Sequence, residues 1–582
     1  MTYLRRLVPY LRKYKIRLYA GFLVIAISAV FTNLIPFVIS KAIDNAKLTG
    51  DVSSLGDYAI LTVIFAILSG FCLYLTRQFI IVVSREIEND LRNDFFSHIL
   101  IQDQQYFHSH PTGEIMALAT NDISSVRNFL GPGIMYSSET FFNFILAISV
   151  MASFNPELTL ISLLPIPLIS YVVYRIGRSV NKRSESVQGQ FSVLTTRVQE
   201  NLAGIKIVKS YVREAEEIKT FRRLSLDYMK KNLLLARVQS FSYPMMFMLI
   251  GMSVIIVIYI GGLKVMDGQL TIGQLTAFII YLGLLSWPII ALGWIVNLTQ
   301  RAEASMKRLC NVFDSRPAIT VADDSRAKVP DFAVSDIEFR NVSFRYSPEF
   351  PYVIRNINLI IKSGEILGIT GHTGSGKSTL VNLILRLYDV TEGDLLIGGC
   401  DIKKIPLGKL RSSVGYVTQD TFLFSDLLEN NIAYASPDVN ESRIRYVSEI
   451  AQLYKDVKNF PGHFKTLLGE RGINLSGGQK QRTSLARALY TDPEILILDD
   501  AFSAVDTYTE EEILKRLSGV MKNKTVILIS HRVSTLKNCD RIIVLQKGSI
   551  CEEGTHDYLV NSDGLYAEIY QKQLIEEELK EL

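Results

Sequence analysis

The sequence predicts two domains of different class, an N-terminal all-α half that crosses a membrane and a C-terminal α/β half. Three observations carry this. Apolar residues make up 48% of the chain and are concentrated in the first 300 positions as long uncharged runs. From Ile337 onward, short β-branched runs alternate with helical patterns, which is the sign of a mainly parallel sheet. A glycine-rich segment, 371–378, stands between a predicted strand and a predicted helix. At 582 residues, at least two domains are expected.

A helix needs roughly 20 apolar residues to span a bilayer. Six runs qualify: 18–40, 58–76, 140–156, 158–174, 238–263 and 268–300. Cationic loops stay in the cytoplasm. The N-terminus carries Arg5, Arg6, Arg12, Lys13, Lys15 and Arg17 without an acid, and the long connection 175–237 is rich in Lys and Arg. The turns at 155–157 and 264–267 are short. An even number of crossings with both termini in the cytoplasm follows, at the cell membrane. The apolar run behind the N-terminal cations is too long for the core of a secretory signal. The two long inner connections, near 85–127 and 175–237, read as polar helix that extends the membrane helices inward. His110-Pro111-Thr112-Gly113 breaks the first, and 211–221 reads as a short charged helix in the second.

Within the apolar runs the polar groups are sparse: Asn33, Glu139, Asn143 and Asn297. A charged Glu139 is costly there unless it meets water, a partner or a cavity. Pro244 and Pro288 are expected to bend or loosen their helices. Met-rich and aromatic stretches at 243–248 and 286–288 suit ordinary packing, or repacking around varied apolar ligands. The five cysteines show no metal-ligand spacing and read as small buried hydrophobes. The net charge of +4 argues against a nucleic-acid partner.

The residues 302–313 still read as helix, and 314–336, with Pro317 and Pro330, as a linker. In the soluble half, 365–370 reads as a buried strand. Gly371-His372-Thr373-Gly374-Ser375-Gly376-Lys377-Ser378 follows, running into a helix with Thr379. This is G-x-x-x-x-G-K-S in the strand–loop–helix setting that cradles phosphates. Loop amides and the helix N-terminus attract the anion. Lys377 is expected to reach the terminal phosphates of ATP, and the Ser378 hydroxyl to bind Mg²⁺. A second apolar strand, 495–498, ends in Asp499-Asp500. Carboxylates at the C-terminal end of a parallel strand beside such a loop suit Mg²⁺ handling and water activation.

Between these motifs lies Leu475-Ser476-Gly477-Gly478-Gln479. With its spacing to both neighbours, it resembles the signature of the ATP-binding cassette (ABC) superfamily. The likeness covers the whole chain and is to a bacterial type IV multidrug or lipid exporter half-transporter. The resemblance implies further roles. Tyr346 stacks on adenine. Gln419 touches Mg²⁺ or water, and Asp499 binds the metal. Gly469-Glu470-Arg471-Gly472 meets the intracellular helices, Ser503-Ala504-Val505-Asp506 forms the D-loop, and His531 senses the γ-phosphate. Ser476, Gly477, Gly478 and Gln479 grasp the ATP held on a second cassette.

One position departs from the family pattern. Asp500 stands where the family usually has the glutamate that polarises the attacking water. Its carboxylate is shorter by about 1.5 Å, one C–C bond. The resemblance therefore suggests the weakened-site subunit of a heterodimer, whose partner carries the glutamate. The expected organisation is a membrane domain over 1–313, a linker over 314–336, a P-loop nucleotide-binding domain over 337–572 and a tail over 573–582. The expected function is ATP-driven export of amphipathic small molecules, drugs or lipids, across the cytoplasmic membrane, with the lipid bilayer as a partner. The alternative is a homodimeric lipid or peptide exporter.

Overall fold

The computed structural model describes residues 2–49, 53–319 and 329–581. Part of the expected linker, 320–328, lies outside the described residues. The chain divides into two compact units: Met1–Ile101 with Pro111–Ser315, and Gln102–His110 with Arg316–Leu582. The short helix Gln104–Ser109 thus belongs to the second unit, although the sequence placed it within 1–313.

The first unit is all helix. Four helices are long and apolar enough to cross a membrane: Lys15–Leu48, Leu55–Leu100, Thr112–Phe154 and Ile272–Asp314. Two of the six expected crossings do not meet that criterion among the described residues. The fourth is divided at Leu164 between helices Pro156–Leu163 and Pro165–Ala203, because Pro165 cannot donate to a continuing helix. The fifth falls within the continuous helix Glu214–Met266, of which Ile250–Met266 is an apolar stretch. Pro244 and Pro288 lie inside unbroken helices. The expected helical stretch at 211–221 is interrupted. A short helix occupies Ile205–Ser210, Val212 takes a left-handed φ of 51°, and helix resumes at Glu214.

Three membrane helices are tied by polar groups. The Asn33 side-chain amide donates to Asn143 Oδ1 (2.9 Å), and the Tyr281 hydroxyl donates to the Asn33 carbonyl (2.6 Å). A polar pair in an apolar setting fixes helix register, since neither group can exchange its partner for water. Glu139 and Asn297 are half-buried. A ladder joins the N-terminal segment to the helix Val82–Leu100. Arg17 bonds Glu86 (2.8 Å), Lys13 bonds Asp90 (2.7 Å), and the Tyr10 hydroxyl donates to Asp94 (2.6 Å). The acids sit four apart, on one helix face. Outward, Ile60, Ile64, Ile67 and Phe71 are exposed, as lipid contact requires.

The second unit contains two sheets. The antiparallel one has the order β2-β1-β4-β5, with β1 Ile337–Phe344, β2 Ile354–Ile361, β4 Glu392–Ile397 and β5 Cys400–Asp401. The other has the order β10-β9-β3-β8-β7-β6. It comprises β3 Ile366–Gly371, β6 Val414–Val417, β7 Ile495–Asp499, β8 Thr525–Ile529, β9 Arg541–Gln546 and β10 Ser549–Gly554. All its pairs are parallel except β9–β10. Strands β3, β7 and β8 are buried almost throughout, so they read as continuous apolar runs. The last helix, Leu565–Glu581, runs across the expected boundary at 573, so no separate tail begins there. Its first turn is held by Glu552, and Tyr566 is fully buried. Of the cysteines, Cys72, Cys310 and Cys539 are buried, Cys400 is half-buried and Cys551 is exposed; none forms a disulfide among the described residues.

Candidate active site

Parallel strands place their C-terminal ends along one edge of a sheet, and there the predicted residues meet. A pocket of about 180 Å³ is lined by Thr373–Thr379 from the loop after β3 and by Gln419 after β6. Asp499 and Asp500 enter from the end of β7, and His531 from beyond β8; Val353 and Ile529 complete the wall.

The loop is built for an anion. Gly376 has φ +103°, and a Cβ there would lie 2.7 Å from Ile354 Cδ1, so only glycine fits. Gly374, at φ +81°, would carry its Cβ into open space: it is glycine for backbone shape, and the loop surface above it is clear. The helix Lys377–Ile384 starts immediately after, with its first N–H groups free of intrahelical partners. Ser375 Oγ is buried without a hydrogen-bond partner among the described residues. A buried hydroxyl left unpaired is costly; a phosphate oxygen would satisfy it. Lys377 is buried and donates to the carbonyls of Gly371 (2.9 Å) and His372 (3.1 Å). Gly371 and His372 thus anchor the lysine rather than line the pocket. Burial pushes the Lys377 ammonium below its ordinary range, against the pull of Asp499 and Asp500. A desolvated cation of this kind gains most from an incoming polyphosphate.

Asp499 is 2% exposed. Burial pushes its carboxyl above the usual range; the nearby Ser378 hydroxyl and Lys377 oppose that, while Asp500 adds to it. The hydroxyl and carboxylate expected to share a cation thus line the same pocket. Among the described residues no three His, Cys, Asp or Glu side chains gather into a metal cage. That suits Mg²⁺, which is usually held by one or two protein oxygens plus substrate phosphates. Asp500 adopts a left-handed backbone, φ 50°, and its N–H donates to the Ile529 carbonyl (3.0 Å). Burial pushes the His531 imidazole below its ordinary range, and Lys377 adds to this.

Tyr346 lies elsewhere. It lines a neighbouring hollow with Asp103, Gln105, Phe344 and Tyr388. Its ring meets Phe344 and Tyr388 edge-on, with centroids 5.0 Å and 5.1 Å away, and its hydroxyl bonds Thr379 Oγ1 at 2.8 Å. The aromatic is thus joined to the phosphate-loop helix through Thr379.

None of Ser476, Gly477, Gly478 or Gln479 lines the phosphate pocket. They open the helix Gly477–Tyr490 with a closed capping box. Ser476 Oγ accepts from the Gln479 N–H (3.3 Å), and Gln479 Oε1 accepts from the Ser476 N–H (3.0 Å). The Gln479 Nε2 donates to Asp456 (3.0 Å), so both ends of this amide are engaged within the chain. Gly477 is exposed; a Cβ on Gly478 would come within 2.9 Å of the Ala504 carbonyl.

The structure adds residues that sequence motifs did not single out. Gln481 donates to Ser503 Oγ (2.8 Å) and accepts from the Ala504 N–H (2.8 Å), fixing the segment 503–506 against the helix Gly477–Tyr490. Asp506 caps the next helix, Thr507–Met521. Glu510 there is buried and bonds both Arg532 and Thr535. Only the position of Gln481 two residues past the signature motif could have flagged it.

A helical membrane unit joined to a phosphate-loop cassette with an LSGGQ helix and an acidic strand end defines an ATP-binding, ATP-hydrolysing transporter. The chain belongs to the ABC exporter family and is a multi-pass membrane protein. Residues 18–289 match the ABC transporter transmembrane region, and residues 354–503 match the ABC transporter family. The chain is 36% identical over 515 residues to the multidrug resistance-like ATP-binding protein MdlA of Escherichia coli, covering 88% of this chain and 87% of that one. It is 34% identical over 581 residues to the ATP-dependent lipid A-core flippase of Syntrophus aciditrophicus, covering 100% and 96%. A solved bacterial Atm1-family ABC exporter with ATP bound superposes with a TM-score of 0.81 at 25% identity, covering 97% of this chain and 99% of that chain.

Proposed function

We propose that this chain is one half of an ATP-driven exporter of amphipathic small molecules, drugs or lipids, in the cytoplasmic membrane, with both termini inside. One observation carries the reading. The phosphate pocket contains a cradle, a lysine, acids and a histidine, but no residue of 476–479. The capping box leaves the exposed Gly477 N–H, with that of Gly478, as first-turn donors outside that pocket. A second cassette must bring its own signature helix to complete this site, and this chain's signature completes the other.

In that arrangement Lys377 and the loop amides hold the β- and γ-phosphates, and Ser375 Oγ gains the acceptor it lacks. Ser378, Asp499 and Gln419 hold Mg²⁺, which would neutralise developing phosphate charge. His531 meets the γ-phosphate. Asp500 is too short to place the attacking water well, and a positioning error near 1 Å costs about 10²-fold. The partner half therefore supplies a glutamate, and the site built on its phosphate loop does most of the hydrolysis. The names of the relatives, one multidrug resistance-like and one a lipid A-core flippase, support an amphipathic cargo.

Native purification tests the pairing. The expected result is co-purification of a different half-exporter whose acidic strand ends in Asp-Glu. Recovery of this chain alone, with robust transport-coupled turnover, overturns the heterodimer in favour of a homodimeric lipid or peptide exporter.

A further inference from the structure

The C-terminal helix Leu565–Glu581 reaches back to the segment that carries His531. Its start is fixed where Glu552 accepts from the N–H groups of Leu565 (2.5 Å) and Tyr566 (3.2 Å), a carboxylate placed where the helix dipole favours it. About two turns later, Gln573 Nε2 donates to the His531 carbonyl (2.5 Å), and Gln573 Oε1 accepts from the Val533 N–H (2.8 Å). Arg532, between them, is extended, with φ −90° and ψ 123°. In an extended chain the carbonyl of one residue and the N–H two residues on point to the same side, as at a strand edge. The glutamine amide carries the same donor and acceptor as a peptide group, and it pairs with this edge as a neighbouring strand would. Other contacts hold the same segment: the Arg532 guanidinium bonds Glu510 and the Val505 carbonyl (3.3 Å), and its N–H donates to Ser530 Oγ (2.9 Å).

We propose that Gln573 is a positioning residue for His531, holding the main chain on either side of Arg532 so that the imidazole stays at the phosphate pocket. The inference rests on the reading of His531 as the γ-phosphate contact. Without the amide, the segment keeps its hold through Arg532 but loses the two hydrogen bonds that the C-terminal helix gives it. The imidazole would then be free to move by a fraction of an ångström or more.

The test uses the natively purified full-length complex and vanadate trapping of azido-ATP on this chain, incubated long enough to read the slow hydrolysis at its own site, with ATP affinity measured separately. Gln573→Ala is expected to lower trapping by about 10-fold while ATP affinity stays within about twofold, because a displaced group costs the chemical step and not the phosphate cradle. Gln573→Glu is nearly isosteric but sets an oxygen against the His531 carbonyl, and it should be impaired at least as much; it also reads the effect should the alanine variant fold poorly. Lys572→Ala, on the outer face of the same helix, should trap fully. If Gln573 acts through His531, the double variant His531→Ala/Gln573→Ala is no worse than His531→Ala. Losses that multiply, or full trapping by Gln573→Ala when His531→Ala is impaired, overturn the proposal. Full trapping by His531→Ala itself overturns the reading of the histidine, and the inference with it.

Discussion

Two helix starts in the same cassette carry glycine-rich motifs, and they are satisfied in opposite ways. Ahead of Lys377–Ile384, the loop leaves Ser375 Oγ without a partner, and Lys377 is parked on two carbonyls of its own loop. Ahead of Gly477–Tyr490, Ser476 and Gln479 close a reciprocal capping box, and Gln479 is further tied to Asp456. The first start has unmet hydrogen-bonding capacity. The second keeps only main-chain donors at an exposed glycine. On the proposed function, the first is a primary site and the second a complementary surface for a phosphate presented from outside.

The largest effect is expected where the complementary surface is spoiled. Gly477→Asp puts charge where the partner's γ-phosphate would be grasped, and turnover of the pair should fall by roughly 10²-fold or more. Thermal stability should fall only modestly, because a Cβ there comes 3.3 Å from the Ala504 Cβ, tight but short of the 2.9 Å approach to backbone at Gly478. Steady-state ATPase and melting curves read both. Gly478→Ala should behave differently, shifting the segment at Ala504 and lowering the melting temperature as well as turnover. Equal behaviour of the two variants would remove the distinction drawn between them.

Next comes the primary site. Lys377→Ala removes a charged hydrogen-bond donor worth about 1.5–3 kcal/mol, so labelling of this chain by an ATP analogue should weaken by about 10- to 100-fold. Labelling of the partner should be largely retained. Unchanged labelling of this chain would deny the loop its role.

Asp499 offers a pH test. Its folded pKa is raised above the ordinary 3.8 by burial. The stability this provides is fully present below the unfolded value and is lost as pH rises through the folded one. In nucleotide-free protein, Asp499→Asn should therefore raise the melting temperature at pH 7, by about 2–4 °C, and the gain should shrink on acidification towards pH 4. The same variant should lose the extra stabilisation that Mg²⁺ gives with ATP. A variant no more stable at pH 7 would mean that the desolvated carboxylate is already compensated.

The smallest effect is expected at Asp500. Asparagine fits a left-handed backbone as well as aspartate does, so Asp500→Asn tests chemistry without disturbing conformation. Turnover of the pair should fall by only a small factor. Abolished turnover would identify Asp500 as a working catalytic carboxylate and end the proposed division of labour.

Much of this was legible because the motifs are local. The loop 371–378, the acids after β7 and His531 after β8 each sit at a strand end, and strand ends are readable from β-branched runs. Crossovers in a parallel sheet then bring them to one edge without further information. Sequence reading was weaker where a contact joins distant segments. Nothing local ties Gln573 to His531, or Gln481 to Ala504. Tyr346 was chosen for its ring, yet its neighbours Phe344 and Tyr388 and the Thr379 hydroxyl are supplied by tertiary packing. The membrane crossings were legible as apolar runs, but not their local breaks: within 158–174, Pro165 divides the helix at Leu164, whereas Pro244 leaves the helix through 238–263 continuous.

The left-handed turn at Asp500 also bears on what the position tolerates. Aspartate and glutamate codons differ by a single base, so the family's glutamate is one mutation away. Residues other than glycine, asparagine and aspartate lose roughly 1–2 kcal/mol in such a backbone, so a glutamate there would be held in place by its surroundings and not by its own conformational preference.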